Sequence, residues 1–380
     1  MNLPLTGVKV LSAARYLPAG YCTMLLAYSG ADIITLEQPP GGIDERIINP
    51  DVFAAVNRNK RSFAINLRSD KGREICHELV RQSDVFIEGF RPGVATRLGV
   101  DYETLNSINP KIVYVSISGF GQDGPYRLKS GHDLTYQGIA GMLAGLYSDK
   151  EHGFSPSLTG LGDICSAMFA AISILSGLYG VKQSGQGQYI DVSMTDGILS
   201  WMSVWLTENN QFNAVIQDAG YNIYQTKDNK YVTVSIVGED HFWRNLCHVM
   251  NKEEFGELSH QERKDKSAEL SAIFKDVFLS KTRDEWVQIL TNADVPSGPA
   301  YTLVEEVSND PQLQHRNMIV EVDDPDKGKS IRIGSPLKFQ GGAPEAAGHL
   351  PGLGEHNEEI LHSLGYNEAD IKQLKDEGVI

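Results

Sequence analysis

Within the first 120 residues, short β-rich runs alternate with helical stretches, and this alternation restricts the fold more than any other feature of the chain. Strand-like runs fall at 8–11, 32–36, 63–67, 85–87 and 112–117, and helical patterns at 19–28 and 69–82 lie between them. Ser69 or Asp70 is the expected cap of the second helix, with Ile75, Leu79 and Val80 on one face. Strands joined by crossover helices pair in parallel and are covered on both faces. The expected fold class is therefore α/β.

Further along, 164–179 is apolar nearly all round and rich in Ala, Ser and Gly, which predicts a helix buried on every side. The weakly polar run 166–181 is shorter than the roughly 20 residues needed to span a bilayer. A turn at Ser184-Gly-Gln-Gly-Gln188 precedes a strand at 189–194 and an apolar helix at 197–206 with Trp201 and Trp205. Residues 208–228 are polar, rich in Asn and Gln, and read as a connecting segment. A second unit then opens with a β run at 231–237. Thr282-x-x-Glu285 forms an expected capping box ahead of Trp286, Ile289 and Leu290. A charged loop at 323–328, a strand-like run at 331–339 and two short helices divided by Gly365 complete the pattern. A length of 380 residues favours two domains, at roughly 100–200 residues each. With 41% hydrophobic and 22% charged residues, wholesale disorder is excluded. No leader pattern opens the sequence and Gly378-Val-Ile380 is no peroxisomal address, so the expected location is cytoplasmic.

Lys and Arg number 34 against 49 Asp and Glu, a net charge of -15, which disfavours nucleic acid or an anionic membrane as partner. Against that background Arg58, Lys60, Arg61, Arg68, Lys71 and Arg73 gather in one segment, with Arg91 and Arg97 soon after. The cluster fits a small phosphorylated ligand; taken alone, a solvated face is the better reading. Cys22, Cys76, Cys165 and Cys247 lack zinc or redox spacing and read as buried small hydrophobes in a reducing compartment. His241, Cys247 and His248 have no metal-site spacing either, and no metal is expected.

Gly119-Phe-Gly-Gln-Asp-Gly124 matches the dinucleotide pattern and follows a strand, but Pro125 and the residues after it are loop-forming where a helix must start. The dinucleotide site is rejected. His132 and Asp133 in Ser130-Gly-His-Asp133 are adjacent and cannot complete a hydrolase triad, whose members converge from separate segments. Asp163 stands where an extended stretch turns into the buried helix. An Asp there is ordinarily a cap, and the same place suits a general base or nucleophile.

Taken together, Leu5-Thr-Gly-Val-Lys-Val10, Ser29-Gly-Ala-Asp32, Asn59-Lys-Arg-Ser62, Ile87-Glu-Gly-Phe-Arg-Pro-Gly93, Ser118-Gly-Phe-Gly-Gln122 and Gly185-Gln-Gly-Gln188 resemble the class III CoA-transferase (CaiB/BaiF) superfamily over nearly the whole chain. The resemblance implies an interlocked homodimer with an active site at the subunit interface. Each chain would have a Rossmann-like large domain (1–207), a linker (208–228), a smaller α+β domain (229–325) and a return linker with C-terminal helices on the large domain (326–380). It also implies two alternative chemistries.

In the transferases one Asp is the nucleophile, and Asp163 matches it. In alpha-methylacyl-CoA racemases the same Asp and a His are opposed bases. Gly131-His-Asp-Leu-Thr-Tyr136 resembles the racemase His motif, which makes His132 the second base. Val237-Gly-Glu-Asp-His-Phe242 resembles the racemase segment whose Glu backs that His, so Glu239 would be the orienter. Asp294-Val-Pro-Ser-Gly-Pro299 is more similar to transferases. By the same resemblance, Arg68, Arg91 and Arg97 meet the CoA phosphates or adenosine, and Tyr16, Leu17 and Ile65 line the adenine or pantetheine path. Asp133 and Tyr136 also join the CoA-binding residues. No cofactor is implied beyond coenzyme A as part of the substrate. The leading expectation is racemisation of a 2-methylacyl-CoA by 1,1-proton transfer, with amides of the Gly160–Asp163 turn as donors to the enolate oxygen. Transfer of CoA from a thioester to a carboxylic acid is the alternative, and a non-catalytic CoA-binding homologue is the third.

Overall fold

The computed structural model describes residues 3–143, 148–149, 153–154, 160–206, 218–324, 328–340, 342 and 348–380. The chain divides into two units, one of Met1–Phe212 with Asn317–Ile380 and one of Asn213–Arg316.

In the first unit, β1 (Lys9–Ser12), α1 (Tyr16–Tyr28) and β2 (Asp32–Glu37) lead through two short helices, α2 (Glu45–Ile48) and α3 (Pro50–Val56), to β3 (Arg61–Ala64). There follow α4 (Asp70–Val80), β4 (Val85–Glu88), α5 (Val94–Arg97), α6 (Tyr102–Ile108) and β5 (Val113–Ser118). Beyond a long loop come α7 (Asp133–Ile139), a two-residue antiparallel pair β6 (Ser148–Asp149) and β7 (Gly153–Phe154), α8 (Leu161–Ser184), β8 (Gln188–Ser193) and α9 (Met194–Met202). Six strands form one sheet in the order β3-β2-β1-β4-β5-β8, and every pairing is parallel. The α/β expectation holds. The chain leaves β1 in one direction and returns to its other side at β4, so the order reverses between β1 and β4. Open sheets of this kind bind ligands outside the carboxyl ends of the strands at that reversal.

Both faces are covered. On one, Phe63, Ile75, Leu79, Phe86, Leu105 and Tyr114 pack with Leu361 and Leu374. The last two come from helices Asn357–Ser363 and Glu368–Asp376. On the other, Val10, Ile33, Val85 and Val115 meet Leu26 of α1 and Ala167, Ala170 and Ile174 of α8. Ser69 caps α4 through its hydroxyl, which accepts from Gly72 N at 3.0 Å.

Helix α8 begins earlier and ends later than its apolar run, and it is not buried on every side. Small residues, among them Ala167, Ala170 and Gly177, let it lie close against α1 and the sheet; a Cβ on Gly177 would come within 2.8 Å of Val113. Its opposite face leaves Met168, Ile172, Leu175 and Tyr179 exposed. At 24 residues it is also long and apolar enough to cross a membrane by length and composition, while its inner face belongs to the core of the sheet.

In the second unit, β9 (Tyr221–Gln225), β10 (Tyr231–Ser235) and β11 (Ser297–Ala300) form an antiparallel sheet around a core with Trp243, Phe274, Phe278 and Trp286. Thr282 and Glu285 make the expected capping box. Strand β9 lies inside the stretch read as a polar connector; the rest of that stretch, up to residue 217, is outside the described residues. Returning to the first unit, β12 (Ile319–Asp324) and β13 (Gly328–Ile333) form a hairpin, so the last strand ends well before Phe339.

Candidate active site

Three loops leave the carboxyl edge around the β1/β4 reversal: 13–15, 89–93 and 119–132. The last has no helix until Asp133, which is why Gly119–Gly124 is no dinucleotide fingerprint. Gly119 serves packing instead, since a Cβ there would meet the Tyr136 ring at 2.5 Å. Helix α8 begins beside these loops. Its first residue follows Gly160, held in the left-handed region at φ +59° with no side chain to cap the helix.

The missing cap comes from 30 residues away. Asp133 Oδ1 accepts from Gly162 N at 2.6 Å and from Asp163 N at 3.3 Å, and its Oδ2 accepts from Gln137 Nε2. Two expectations change as a result. Asp163 is the third residue of α8, not its cap, so its carboxylate is spared from the helix amides. The amides of Gly162 and Asp163, expected as donors to an enolate oxygen, are already held by Asp133.

Around Asp163 the packing is close. A Cβ on Gly160 would lie 3.3 Å from both Asp163 Oδ2 and Leu17 Cδ2, so Leu17 and the carboxyl converge on this glycine. Burial, and then the like charge of Asp133, push Asp163 up to about 7. A carboxyl balanced near neutrality, in a site built at the sheet's reversal, is placed for chemistry. His132 is exposed, and its ring stands edge-on to Tyr16 with centroids 6.5 Å apart. Tyr16 has φ +69°, a strained region for a side chain of its size, and its hydroxyl donates to Asp44 Oδ2 at 3.0 Å. Tyr136 is buried and donates to Gly131 O at 2.5 Å, fixing the backbone just before His132.

Of the CoA-binding candidates, Arg91 projects from the loop after β4 and its Nη2 donates to Ser130 Oγ at 3.0 Å. Arg97 is exposed on α5 and Arg68 on the turn after β3. Arg73 joins the two stretches, donating to Arg68 O at 3.1 Å and lying within 3.2 Å of where a Cβ on Gly99 would stand. Among the described residues Arg68, Arg91 and Arg97 form no ion pair.

The rest of the basic segment is structural. Arg61 pairs with Asp32 and Glu359, Lys71 with Glu74 and Arg73 with Asp70. Arg58 donates to Gly348 O at 3.1 Å. Lys60 is buried and donates to Gly20 O, Thr23 Oγ1 and Asn57 Oδ1, and burial lowers its pKa to about 7. Ile65, at 2% exposure, sits in the core and has no surface left for a ligand path.

Glu239 belongs to the second unit. There it accepts from Val237 N at 2.9 Å and Gly238 N at 3.0 Å, and its own backbone N–H together with these two amides holds its carboxyl below the usual range. Among the described residues no group of three or more His, Cys, Asp or Glu could hold a metal ion.

Sequence reasoning missed Glu88, which ends β4 and is 3% exposed. Burial pushes its carboxyl up to about 7. Its signal was present in the Ile87-Glu-Gly-Phe-Arg run, where a charged side chain directly ends an all-apolar strand.

The site thus sets a half-buried acid, relieved of capping, at the reversal of a doubly wound sheet. The profile of CoA-transferase family III matches residues 5–357. A protein of Fusarium pseudograminearum named acyl-CoA transferase is 30% identical, across 99% of this chain and 88% of its own. A formyl-CoA:oxalate CoA-transferase of Rhodopseudomonas palustris is also 30% identical, across 100% and 98%. Among solved structures, a CaiB/BaiF family protein from Brucella suis superposes with a TM-score of 0.83 at 29% identity, over 96% of this chain and 100% of that one. The structure of a protein from Mycobacterium tuberculosis gives 0.83 at 26%, over 94% and 99%. The chain belongs to CoA-transferase family III.

Proposed function

We propose that the protein is a CoA-transferase, moving CoA between a thioester and a carboxylic acid with Asp163 as nucleophile. The observation that carries this reading is the state of Asp163: a carboxyl spared from capping and held near neutrality. Transferase names among the relatives favour this chemistry over the racemisation expected first. In the first step a carboxylate oxygen of Asp163 attacks the thioester carbonyl, the C–S bond breaks, and CoA leaves as thiolate from a mixed anhydride. The thiolate then attacks the Asp163 carbonyl, releasing the first acid and forming an aspartyl-CoA thioester. An acceptor carboxylate reverses both steps and regenerates Asp163. Arg68, Arg91 and Arg97 would hold the phosphates of CoA, and Tyr16 and Leu17 would flank its thioester end. Asp133 tunes Asp163 rather than touching CoA.

One observation supports a second reading. His132 is exposed and unburdened by an ion pair among the described residues, as a second base for proton transfer needs. Incubation with acyl-CoA in deuterium oxide separates the two. Transfer predicts an adduct on Asp163 trapped by hydroxylamine or borohydride, with no deuterium in the recovered thioester. Deuterium at the α-carbon with no trapped adduct overturns it.

The working unit in this proposal is a homodimer, as the family resemblance implies. Met168, Ile172, Leu175 and Tyr179 form a stripe at helical spacing on α8 and are 43–66% exposed. Leu199, Trp201 and Trp205 are also exposed, in and just beyond α9. An apolar surface of this extent is normally an interface.

A further inference from the structure

The hydrogen bonds along the carboxyl edge of the sheet converge on Glu88, which the chemistry above does not use. Its Oε2 accepts from Phe90 N at 2.6 Å, closing a tight turn directly after β4. Its Oε1 accepts from the Ser116 hydroxyl on the neighbouring strand β5. Ser116 Oγ in turn accepts from Gln122 Nε2 at 2.5 Å, and Gln122 N donates to Asp191 Oδ2 on β8 at 2.8 Å. Three adjacent strand ends and the two loops leaving β4 and β5 are thereby tied together at their base. The same loops meet again at their outer ends, where Arg91 donates to Ser130. Gly89 also lies against Ala14, within 3.3 Å of a would-be Cβ, so the turn abuts the segment that leads to Tyr16 and Leu17.

We infer that Glu88 is the positioning residue for Arg91: its buried carboxyl fixes the turn that aims the guanidinium toward CoA. The inference rests on the reading that Arg91 meets a phosphate of CoA. Two donors from separate segments reach the two oxygens of one side chain, and truncation leaves both without that partner, the Ser116 hydroxyl in a fully buried place. Only Gly89 and Phe90 lie between Glu88 and Arg91, so a change in the turn has little chain in which to dissipate before it reaches the guanidinium.

The test is a double-variant cycle read by calorimetric titration with coenzyme A, using the full chain. Arg91→Ala should weaken binding about tenfold, corresponding to about 1.4 kcal/mol for a lost charge-assisted contact. Glu88→Ala should weaken it severalfold with kcat for transfer largely kept and KM raised. The double variant should bind within twofold of Arg91→Ala alone. Glu88→Gln should recover most of the loss, since its Oε1 can accept from Phe90 N while its Nε2 donates to Ser116. Should Glu88→Ala fail to fold, Ser116→Ala takes its place in the cycle. If Arg91→Ala weakens binding and Glu88→Ala does not, or if the two losses multiply, Glu88 is packing only and the inference fails. If Arg91→Ala itself leaves the titration unchanged, the phosphate reading of Arg91 fails, and the inference with it.

Discussion

Replacing Asp133 by Asn tests how the site holds Asp163 near neutrality. Asn keeps an acceptor for Gly162 N and Asp163 N, so the start of α8 stays capped. The second oxygen becomes an amide, and Gln137 is ready for the change. Gln137 Oε1 is buried without a hydrogen-bond partner among the described residues, and a flipped Gln137 can accept from the amide that Asp133→Asn introduces. The substitution therefore removes a charge at little cost in geometry. Asp133 is the second cause of the raised Asp163 pKa, after burial. Two unit charges several ångströms apart interact by a few kcal/mol at an effective dielectric of about 20, and by about 1 kcal/mol or less in bulk water. A partly buried site falls between, near 1.4 kcal/mol, or about one pH unit. The expected result is that the acid limb of the kcat/KM profile for CoA transfer moves down by about one pH unit. At pH 6 the ionised fraction of Asp163 would rise about fivefold. Asp133→Ala should instead lose the cap as well and fall in both stability and rate. An acid limb that stays in place in Asp133→Asn, or moves up, refutes the argument.

Asp163→Asn should stabilise the protein above neutrality, because a carboxyl raised in the folded state costs stability once ionised. The cost is absent below the ordinary value of 3.8, grows as pH rises and levels off above about 7. The gap in unfolding free energy from urea denaturation should therefore widen between pH 4 and pH 8 to at most roughly 4 kcal/mol, and a pH-independent gap speaks against it. Ile172→Asp on the exposed stripe of α8 should shift sedimentation at micromolar concentration from dimer to monomer, while a wild-type monomer under the same conditions removes the dimer proposal. All four cysteines are free and buried, with thiols pushed up to about 12. The native protein should resist thiol reagents until it unfolds, and fast labelling of any one would contradict its burial.

The large unit was legible because its strands are short apolar runs bounded by turn residues, and because Ser69 marks a helix start by local hydrogen bonding, as Thr282 does in the second unit. What escaped depended on distant partners. Strand β3 starts at Arg61 and Ser62, two polar residues that look like a turn until Asp32 and Glu37 are placed beside them. Strand β9 is hidden in a polar stretch because backbone pairing with β10, not side-chain pattern, defines it. The charge of Lys60 counted toward a ligand patch, yet its three protons are taken by α1 and the end of α3. Asp163 was found by position, and its freedom from capping was not, because the substitute cap is 30 residues earlier in the chain. The apolar pattern of α8 suggested burial on every side, whereas small residues press one face against α1 and the sheet and the opposite face is exposed.

The packing of residues 357–380 against the first strands sets a schedule for biosynthesis. Asn357 accepts from Ala64 N at 2.8 Å, Val379 O accepts from Asn66 N at 2.8 Å, and Leu361 and Leu374 share a core with Phe63. These contacts join segments about 300 residues apart. On the ribosome the N-terminal strands emerge long before the helices that cover them, and at about 5–20 residues per second the wait is tens of seconds. The inserted unit of Asn213–Arg316 has a contiguous sequence and a core of its own, so it can complete its fold during that interval. The part of the protein made first is thus the part finished last, and its uncovered sheet face is what a chaperone would have to shield.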